Sequence, residues 1–380
     1  LIIFPVITSL MIKHTVFSVY IVPFAMAPIF VRIFMDSRTA FNSYTIMILL
    51  SAVAVRYQYE FIVVQLVAGL IAIFSLRELS KRSQIFLTAL LVTVGSAAIY
   101  LALQLTQTDD FSKLDRSMYT HIAIYGGFLL VTYPLMLIME KTFGFVSTVT
   151  MFELSNTNNE LLRRLSEVAP GTFQHSIMVG NLGVEIASKI RAKGQLVRTG
   201  ALYHDIGKMV NPVFFTENQV GVNPHDKISD LESAKIIIGH VTEGLRLAEK
   251  YNLPNIIKAF ITTHHGMGLV KYFYINYKNE HPDEEVDEAP FRYPGPNPWT
   301  REQAILMMCD TVEAASRSLP EYTEESISNL VNRLIDSQMA NGYFTDCPIT
   351  FRDISIAKQV LIERLKSIYH TRIQYPELKS

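Results

Sequence analysis

Five histidines and two aspartates in the C-terminal part of the chain sit in local contexts that are otherwise apolar. His175 lies in Ala-Pro-Gly-Thr-Phe-Gln-His-Ser, where Pro170-Gly171 reads as a helix start. His204 and Asp205 are adjacent in Gly-Ala-Leu-Tyr-His-Asp-Ile-Gly-Lys, and His240 follows Ile-Ile-Ile-Gly. His264 and His265 are adjacent in Ile-Thr-Thr-His-His-Gly, and Asp310 lies in Ala-Ile-Leu-Met-Met-Cys-Asp-Thr-Val-Glu-Ala-Ala. A lone histidine on such a helix is ordinarily a satisfied core residue, but aspartate is rarely buried unpaired. All of these together need a common partner, and a metal centre supplies one, because imidazole and carboxylate are its ligands. Seven ligands exceed one tetrahedral site and suit two ions that share a bridging carboxylate. The His-rich set points to Fe, Mn or Zn over Mg or Ca, which prefer all-oxygen shells. Two divalent transition-metal ions, Fe or Mn, are the expectation. Two metals roughly 3.5–4 Å apart are a standard device for phosphoester hydrolysis, with a metal-bridging hydroxide as nucleophile. No Gly-x-Ser-x-Gly elbow and no P-loop offers another route.

The elements that must position these residues follow from composition. The chain has 380 residues, room for two or three domains, and a net charge of −1 from 34 Lys+Arg and 35 Asp+Glu. That balance argues against a nucleic-acid polymer as partner. Hydrophobic residues make up 49% and charged ones 18%, which excludes disorder over most of the chain. Two cysteines, Cys309 and Cys347, exclude a disulfide framework and a Cys-based zinc ribbon. Mean hydropathy is +0.22, but the average hides a split. Residues 1–140 are oily and sparse in charge, whereas 141–380 read as ordinary soluble protein with a mild acidic balance.

A bilayer core needs roughly 20 apolar residues per helix. Gln84–Leu105, His121–Met139 and Val16–Met35 meet that length, the last despite Pro23 and Pro28. Tyr44–Val55 and Phe61–Leu76 flank a polar hinge, Arg56–Glu60, and read as two helices or one hairpin that barely spans. Leu1–Ile12 reads as the end of a cut span, so an upstream part is expected. Residues 1–140 are therefore predicted to hold about five to six spans. The basic loop with Arg77, Lys81 and Arg82 should be cytoplasmic, and the loop with Asp109, Asp110 and Asp115 should face outward. Residues 141–168 read as a connector helix, with Leu154, Leu161, Leu162, Leu165 and Val168 at near-helical spacing. A plain connector and a signal-carrying helix are both open readings. The fold class expected is all-α: a polytopic membrane region over 1–140, a connector, and a helical domain over 169–380.

His175, His204-Asp205 and Asp310 resemble the H…HD…D signature of the HD-domain phosphohydrolases, and His240 with His264-His265 resembles its dinuclear branch. Ala-Pro-Gly-Thr-Phe-Gln-His-Ser, Tyr-His-Asp-Ile-Gly-Lys, Glu-Asn-Gln (217–219), Asn-Pro-His-Asp (223–226), Thr-His-His-Gly, Phe-Arg-Tyr-Pro-Gly-Pro (291–296) and Glu-Ala-Ala-Ser-Arg-Ser (313–318) resemble one family more closely. It is the bacterial seven-transmembrane HD-domain proteins, membrane-bound cyclic-di-AMP phosphodiesterases. The resemblance implies hydrolysis of cyclic di-AMP to pApA by an HD domain in the cytoplasm, anchored in the inner (cytoplasmic) membrane. It implies one metal held by His175, His204, Asp205 and Asp310, and the other by Asp205, His240, His264 and His265, with Asp205 bridging. It also implies an extracytoplasmic domain ahead of the spans. A cyclic dinucleotide, the lipid bilayer and a homodimer are the expected partners.

Supporting residues carry two readings each. Asp205 and Lys208 are the catalytic candidates; Lys208, one turn after His204, either meets a substrate phosphate or is a solvated lysine. Thr311 either bonds a phosphate or back-bonds within its helix. Arg292 and Tyr293 either clamp phosphate and stack on adenine or pack a loop. His225 and Asp226 are candidates for the layer behind the ligands. The acidic run Glu280–Glu288 reads as a solvated loop, His281 and His370 as surface residues, and Cys309 as a packed small hydrophobe. Two alternatives to the cyclic-di-AMP reading remain: an HD hydrolase acting on guanosine tetraphosphate, a deoxynucleotide or cyclic di-GMP, and a membrane receptor that binds a nucleotide without turnover.

Overall fold

The computed structural model describes residues 2–76, 81–107 and 115–369, so Arg77, Asp109, Asp110 and His370 lie outside the described residues. The chain is all-α, with no β-strand among the described residues. It divides into two compact units, Leu1–Glu153 and Leu154–Ser380.

The first unit holds α1 (Ile3–His14), α2 (Met26–Phe34), α3 (Ser37–Ala52), α4 (Gln58–Ser75), α5 (Gln84–Gln107), α6 (Arg116–Leu130) and α7 (Thr132–Phe143). Three stretches are long and apolar enough to cross a membrane: Gln58–Ser75, Gln84–Gln107 and Arg116–Phe143. α1 and Val19–Phe34 are apolar but shorter. α5 has 24 residues, about 36 Å of helix, more than the ~30 Å hydrocarbon core. One face of α5 buries Ile85, Ala89 and Val92, while Phe86, Leu87, Leu90, Leu91 and Val94 are exposed. An outward row of large apolar side chains is what a lipid-facing helix presents, and the first unit is read as a membrane unit.

One expected span is divided and another is locally interrupted. Within Val16–Met35 a 3-10 turn over Val19–Ile21 is followed by α2 only from Met26. Pro23 is the cause: it has no N–H and drives the preceding residue out of the α region, and Val22 is extended at φ −65°, ψ 122°. The expected span His121–Met139 lies within the apolar stretch Arg116–Phe143, whose helix is interrupted locally at Val131, between α6 and α7. Pro134, in the first turn of α7, cannot return a hydrogen bond to Leu130. Elsewhere the unit packs by close approach of small residues. The Tyr44 hydroxyl donates to the Gln65 carbonyl at 2.7 Å, and a Cβ at Gly69 would stand 1.9 Å from the Tyr44 ring.

Residues 141–168, expected as one connector helix, are the end of α7 and two short helices, α8 (Thr148–Leu154) and α9 (Glu160–Val168). Gly144 ends α7 in the left-handed region at φ 68°, and Asn159 caps α9 through the Leu161 N–H. Leu161, Leu162 and Leu165 are fully buried, and α9 packs on the helix that follows. Their spacing records packing within the second unit, to which α9 belongs.

In that unit α10 (Pro170–Lys189) and α11 (Gly194–Tyr203) form a hairpin. α12 (Asp230–Lys250), α13 (Asn255–Thr263) and α14 (Lys271–Glu280) follow, and α15 (Arg301–Ser316) packs across α10, α11 and α13. α16 (Glu324–Ala340) and α17 (Phe351–Ile368) pair and lean on α15. Pro170 stands in the first turn of α10, as read from the sequence. Ser229-Glu232 and Thr300-Gln303 close capping boxes on α12 and α15, the helices that carry His240 and Asp310.

Between α11 and α12 runs a 3-10 helix, Ile206–Val210, pressed against α12. The contact is possible because residue 207 has no side chain. A Cβ there would stand 1.8 Å from the His240 carbonyl oxygen and 2.5 Å from the Gly244 nitrogen, both rigid backbone. Gly207→Ala is therefore expected to cost about 3 kcal/mol, the upper end for overpacking. The melting transition of the second unit should fall by roughly 6–12 °C; an unchanged transition would refute the close approach.

Candidate metal centre

Each ligand candidate stands where a helix ends or crosses another. His204 caps the C-terminus of α11, Asp205 follows it, and Lys208 is on the 3-10 helix. His240 is on α12, His264 caps α13, His175 is in α10 and Asp310 in α15. Folding brings all seven together as two groups. His175, His204, Asp205 and Asp310 form one and His240, His264 and His265 the other; within each, ligand atoms lie within 4.8 Å of one another.

Asp205 faces both groups. Its Oδ2 is 3.2 Å from His204 Nε2 and 3.7 Å from His175 Nε2. Its Oδ1 is 3.3 Å from His240 Nε2 and 3.5 Å from His264 Nε2. Asp310 Oδ1 lies 2.9 Å from His175 Nε2 and 3.5 Å from His204 Nε2, and its Oδ2 is 3.9 Å from His265 Nδ1.

The imidazoles are oriented from behind. His204 Nδ1 is 2.7 Å from the Ala201 carbonyl, His240 Nδ1 2.5 Å from Ile237 and His264 Nδ1 2.8 Å from Ile261. A carbonyl only accepts, so each Nδ1 donates its proton backwards and each Nε2 points inwards, where the neutral ring offers a lone pair. The result is a conflict for a protein alone. His240 Nε2 and His264 Nε2 stand 3.0 Å apart, both beside a carboxylate oxygen. His204 Nε2 and Asp205 Oδ1 are buried without a hydrogen bond of good geometry, and Asp205 Oδ2 meets the Lys208 ammonium. Converging lone pairs and orphaned acceptors are satisfied by cations, so the donor set fits metal ions.

The electrostatics agree. Burial opposes ionisation of Asp205, but His204 and Lys208 outweigh it and hold the carboxyl well below the usual range. Asp310 is likewise lowered against its burial by His175 and His204. Burial disfavours a cation on His204, yet Asp205 and Asp310 push its pKa up to about 10. In the other group burial dominates, and His264 and His265 are held below the ordinary histidine value as neutral donors. The first group therefore draws positive charge strongly, and His264 and His265 supply uncharged nitrogen.

Lys208 Nζ sits 2.8 Å from Asp205 Oδ2 and 2.9 Å from Glu217 Oε1. Burial alone would favour the amine, but these two carboxylates raise its pKa above the ordinary lysine value and keep it an ammonium. Two cavities of about 950 and 720 Å³ meet over Lys208, Glu217, His265 and Tyr293. Thr311 lines the smaller one, its hydroxyl accepting from Gln338 Nε2 at 2.9 Å. Tyr293 stacks on His265 with centroids 4.2 Å apart, which turns one ring face to a ligand candidate and leaves the other to the cleft. Arg292 stands apart from the ligands, exposed, bonded to Glu288 and to the Met267 carbonyl. His225 lines the larger cavity, its Nε2–H donating to the Phe214 carbonyl and its ring between Phe214 and Phe273. Asp226 accepts from Asn223, and Cys309 is fully buried.

Two residues that the sequence offers only inside resembling motifs, without a role, take part in the site. Glu217 holds Lys208 and accepts from the Thr172 hydroxyl at 2.9 Å, which ties the start of α10 to the site. Glu313, three residues after Asp310 on α15, reaches His175 Nδ1. Its signals are an acid one helical turn from Asp310 in an apolar helix and its place at the head of Glu-Ala-Ala-Ser-Arg-Ser.

Comparison with known proteins follows the same division. Residues 1–147 match the family model described as a 7TM receptor with intracellular HD hydrolase, and residues 172–315 match the HD domain. Cyclic-di-AMP phosphodiesterase PgpH of Bacillus subtilis is 35% identical over 367 residues, 94% of this chain and 51% of that protein. PgpH of Listeria monocytogenes is 36% identical over 95% of this chain and 51% of its own length. The chain thus spans about half the length of the curated relatives it matches. The crystal structure of the L. monocytogenes PgpH HD domain in complex with cyclic-di-AMP is 44% identical, covers 57% of this chain and 99% of that one, and superposes with a TM-score of 0.54. With an HD domain matched over nearly the whole length of that structure, behind a matching membrane region, the chain belongs to the seven-transmembrane HD-domain family of PgpH.

Proposed function

We propose that the protein is a membrane-anchored phosphodiesterase that hydrolyses cyclic di-AMP to the linear dinucleotide pApA with two divalent transition-metal ions, Fe or Mn. The observation that carries this reading is Asp205, whose two oxygens face two separate groups of buried donors. The relative whose HD domain holds cyclic di-AMP supports the substrate. His175, His204, Asp205 and Asp310 would hold one ion, and Asp205, His240, His264 and His265 the other. Bound there, the pair would activate water and neutralise charge developing on the phosphate.

The chain's own groups do the rest. Water adds at phosphorus, the bond to the 3′ oxygen breaks, and one chain end leaves as a 3′-hydroxyl and the other as a 5′-phosphate. Lys208, fixed as a cation between Asp205 and Glu217, donates to a phosphate oxygen and is not a base. Thr311 offers a hydroxyl from the smaller cavity, and the free face of Tyr293 offers an adenine stacking surface. Two cavities meeting over the donor cluster suit a substrate with two bases flanking the scissile phosphate. Arg292 serves less directly, at the wall of a neighbouring cavity that also touches His240. The membrane unit is proposed to lie in the inner membrane with the HD domain on the cytoplasmic side. Lys81 and Arg82 precede α5 at the end where Arg82 pairs with Glu153, whereas Glu60 meets Gln107 at the opposite end.

The test uses the full chain in detergent with Mn²⁺ and a panel of cyclic di-AMP, cyclic di-GMP and guanosine tetraphosphate, products identified by mass. Conversion of cyclic di-AMP to pApA is expected. Preferential turnover of another member would discard the substrate, and no turnover with metal bound would favour a receptor.

A further inference from the structure

We infer that Glu313 and Arg317 are positioning residues that set the orientation and donor strength of His175, and through it the affinity of one of two metal positions. The inference rests on the metal reading above. His204, His240 and His264 are each held by the backbone carbonyl three residues earlier. His175 is the exception: its Nδ1 meets a carboxylate, Glu313 Oε2, at 2.5 Å. The ring is clamped between two acids one turn apart on α15, Asp310 at Nε2 and Glu313 at Nδ1. Glu313 is 4% exposed, and a buried carboxylate needs its own partner. Arg317, one turn further along α15, supplies it. Its Nε and an Nη lie 3.0 and 2.5 Å from the other oxygen, Oε1. The guanidinium fixes the Glu313 carboxyl group from one side, and its other oxygen accepts the His175 Nδ1 proton.

A carboxylate behind an imidazole makes the far nitrogen a better donor than a carbonyl does, and such partners commonly change metal affinity 10–100-fold. The two groups around Asp205 should therefore differ in their sensitivity to α15. Arg317 also lines the smaller cavity, so the relay runs from the cleft wall to a ligand.

The experiment titrates Mn²⁺ into the full chain in detergent, without substrate, and counts bound ions by calorimetry and electron paramagnetic resonance. The unaltered protein is expected to show two classes of site. Glu313→Gln should weaken one class about 10–100-fold and spare the other. Arg317→Met, further from the centre, should weaken the same class by a smaller factor and guards against a Glu313 variant that does not fold. Hydrolysis by either variant should fall at limiting Mn²⁺ and recover at excess, which a merely structural defect would not do. Two unchanged classes in both variants, or a loss that excess Mn²⁺ does not restore, overturn the inference. An unaltered protein that binds no Mn²⁺ overturns the metal reading itself, before any variant is made.

Discussion

Asp205→Asn should abolish turnover of cyclic di-AMP, by at least about 10³-fold, while the helical fold survives. Asp205 turns one oxygen to each donor group at 3.2–3.7 Å, closer to the second group than Asp310, and it is 1% exposed. An asparagine fills the same volume but replaces one acceptor oxygen by an N–H₂ donor. Whichever way the amide turns, one group loses the oxygen that a cation would share. If nitrogen replaces Oδ1 it meets the lone pairs of His240 and His264; if it replaces Oδ2 it meets the Lys208 ammonium. A pair of ions that has lost its shared ligand forfeits several kcal/mol of charge stabilisation, and about 4 kcal/mol corresponds to 10³ in rate. Lys208 retains Glu217 as its ion partner, so the variant does not strand a buried cation. Initial rates, circular dichroism and Mn²⁺ stoichiometry on the same preparation decide the matter. Activity within about tenfold of the unaltered protein, with Mn²⁺ still bound, would remove Asp205 from the bridging role.

How much of this was legible beforehand depends on what kind of signal each feature leaves. The seven donors are readable because histidine and aspartate in apolar helices contradict ordinary burial, and the contradiction needs no coordinates to be seen. Their division into two groups is a tertiary fact, fixed by α10, α12, α13 and α15 crossing at the end of α11. The motif at 313–318 includes Glu313 but not its role, because a glutamate on a helix ordinarily faces water, and only the crossing of α10 and α15 turns it onto His175. Arg292 misleads in the opposite direction: cation and aromatic side by side suggest a clamp, but the chain turns Tyr293 towards His265 and Arg292 towards Glu288. The membrane unit shows a third case. Window hydropathy registers apolar length and is blind to backbone breaks, so the reading of Val16–Met35 as one span passes over Pro23, which interrupts the helix. The connector failed for a similar reason. Leucine spacing suggested continuity, whereas Gly144 and Ser-Asn-Thr-Asn-Asn at 155–159 carry turn chemistry that outweighs it.

Chelation should have an effect as large as the Asp205 change, and its reversal should discriminate among metals. Prolonged treatment with a strong chelator is expected to reduce hydrolysis to background and to lower the melting transition. The second effect follows from the fold: the His240 and His264 nitrogens that converge at 3.0 Å repel one another beside Asp205 when nothing lies between them. An ion binding the folded state at 100 times its dissociation constant adds about 2.7 kcal/mol. Readdition of Mn²⁺, or of Fe²⁺ under anaerobic conditions, should restore both rate and stability. Mg²⁺ and Ca²⁺ at the same concentration should restore neither, because five imidazoles and two carboxylates offer too few oxygens for either ion. Zn²⁺ accepts this donor set and should restore stability; whether it restores rate separates holding the ligands from activating water. Recovery with Mg²⁺ alone would mean that the working ion takes its shell from solvent and substrate oxygens, and the buried histidines would then need another explanation.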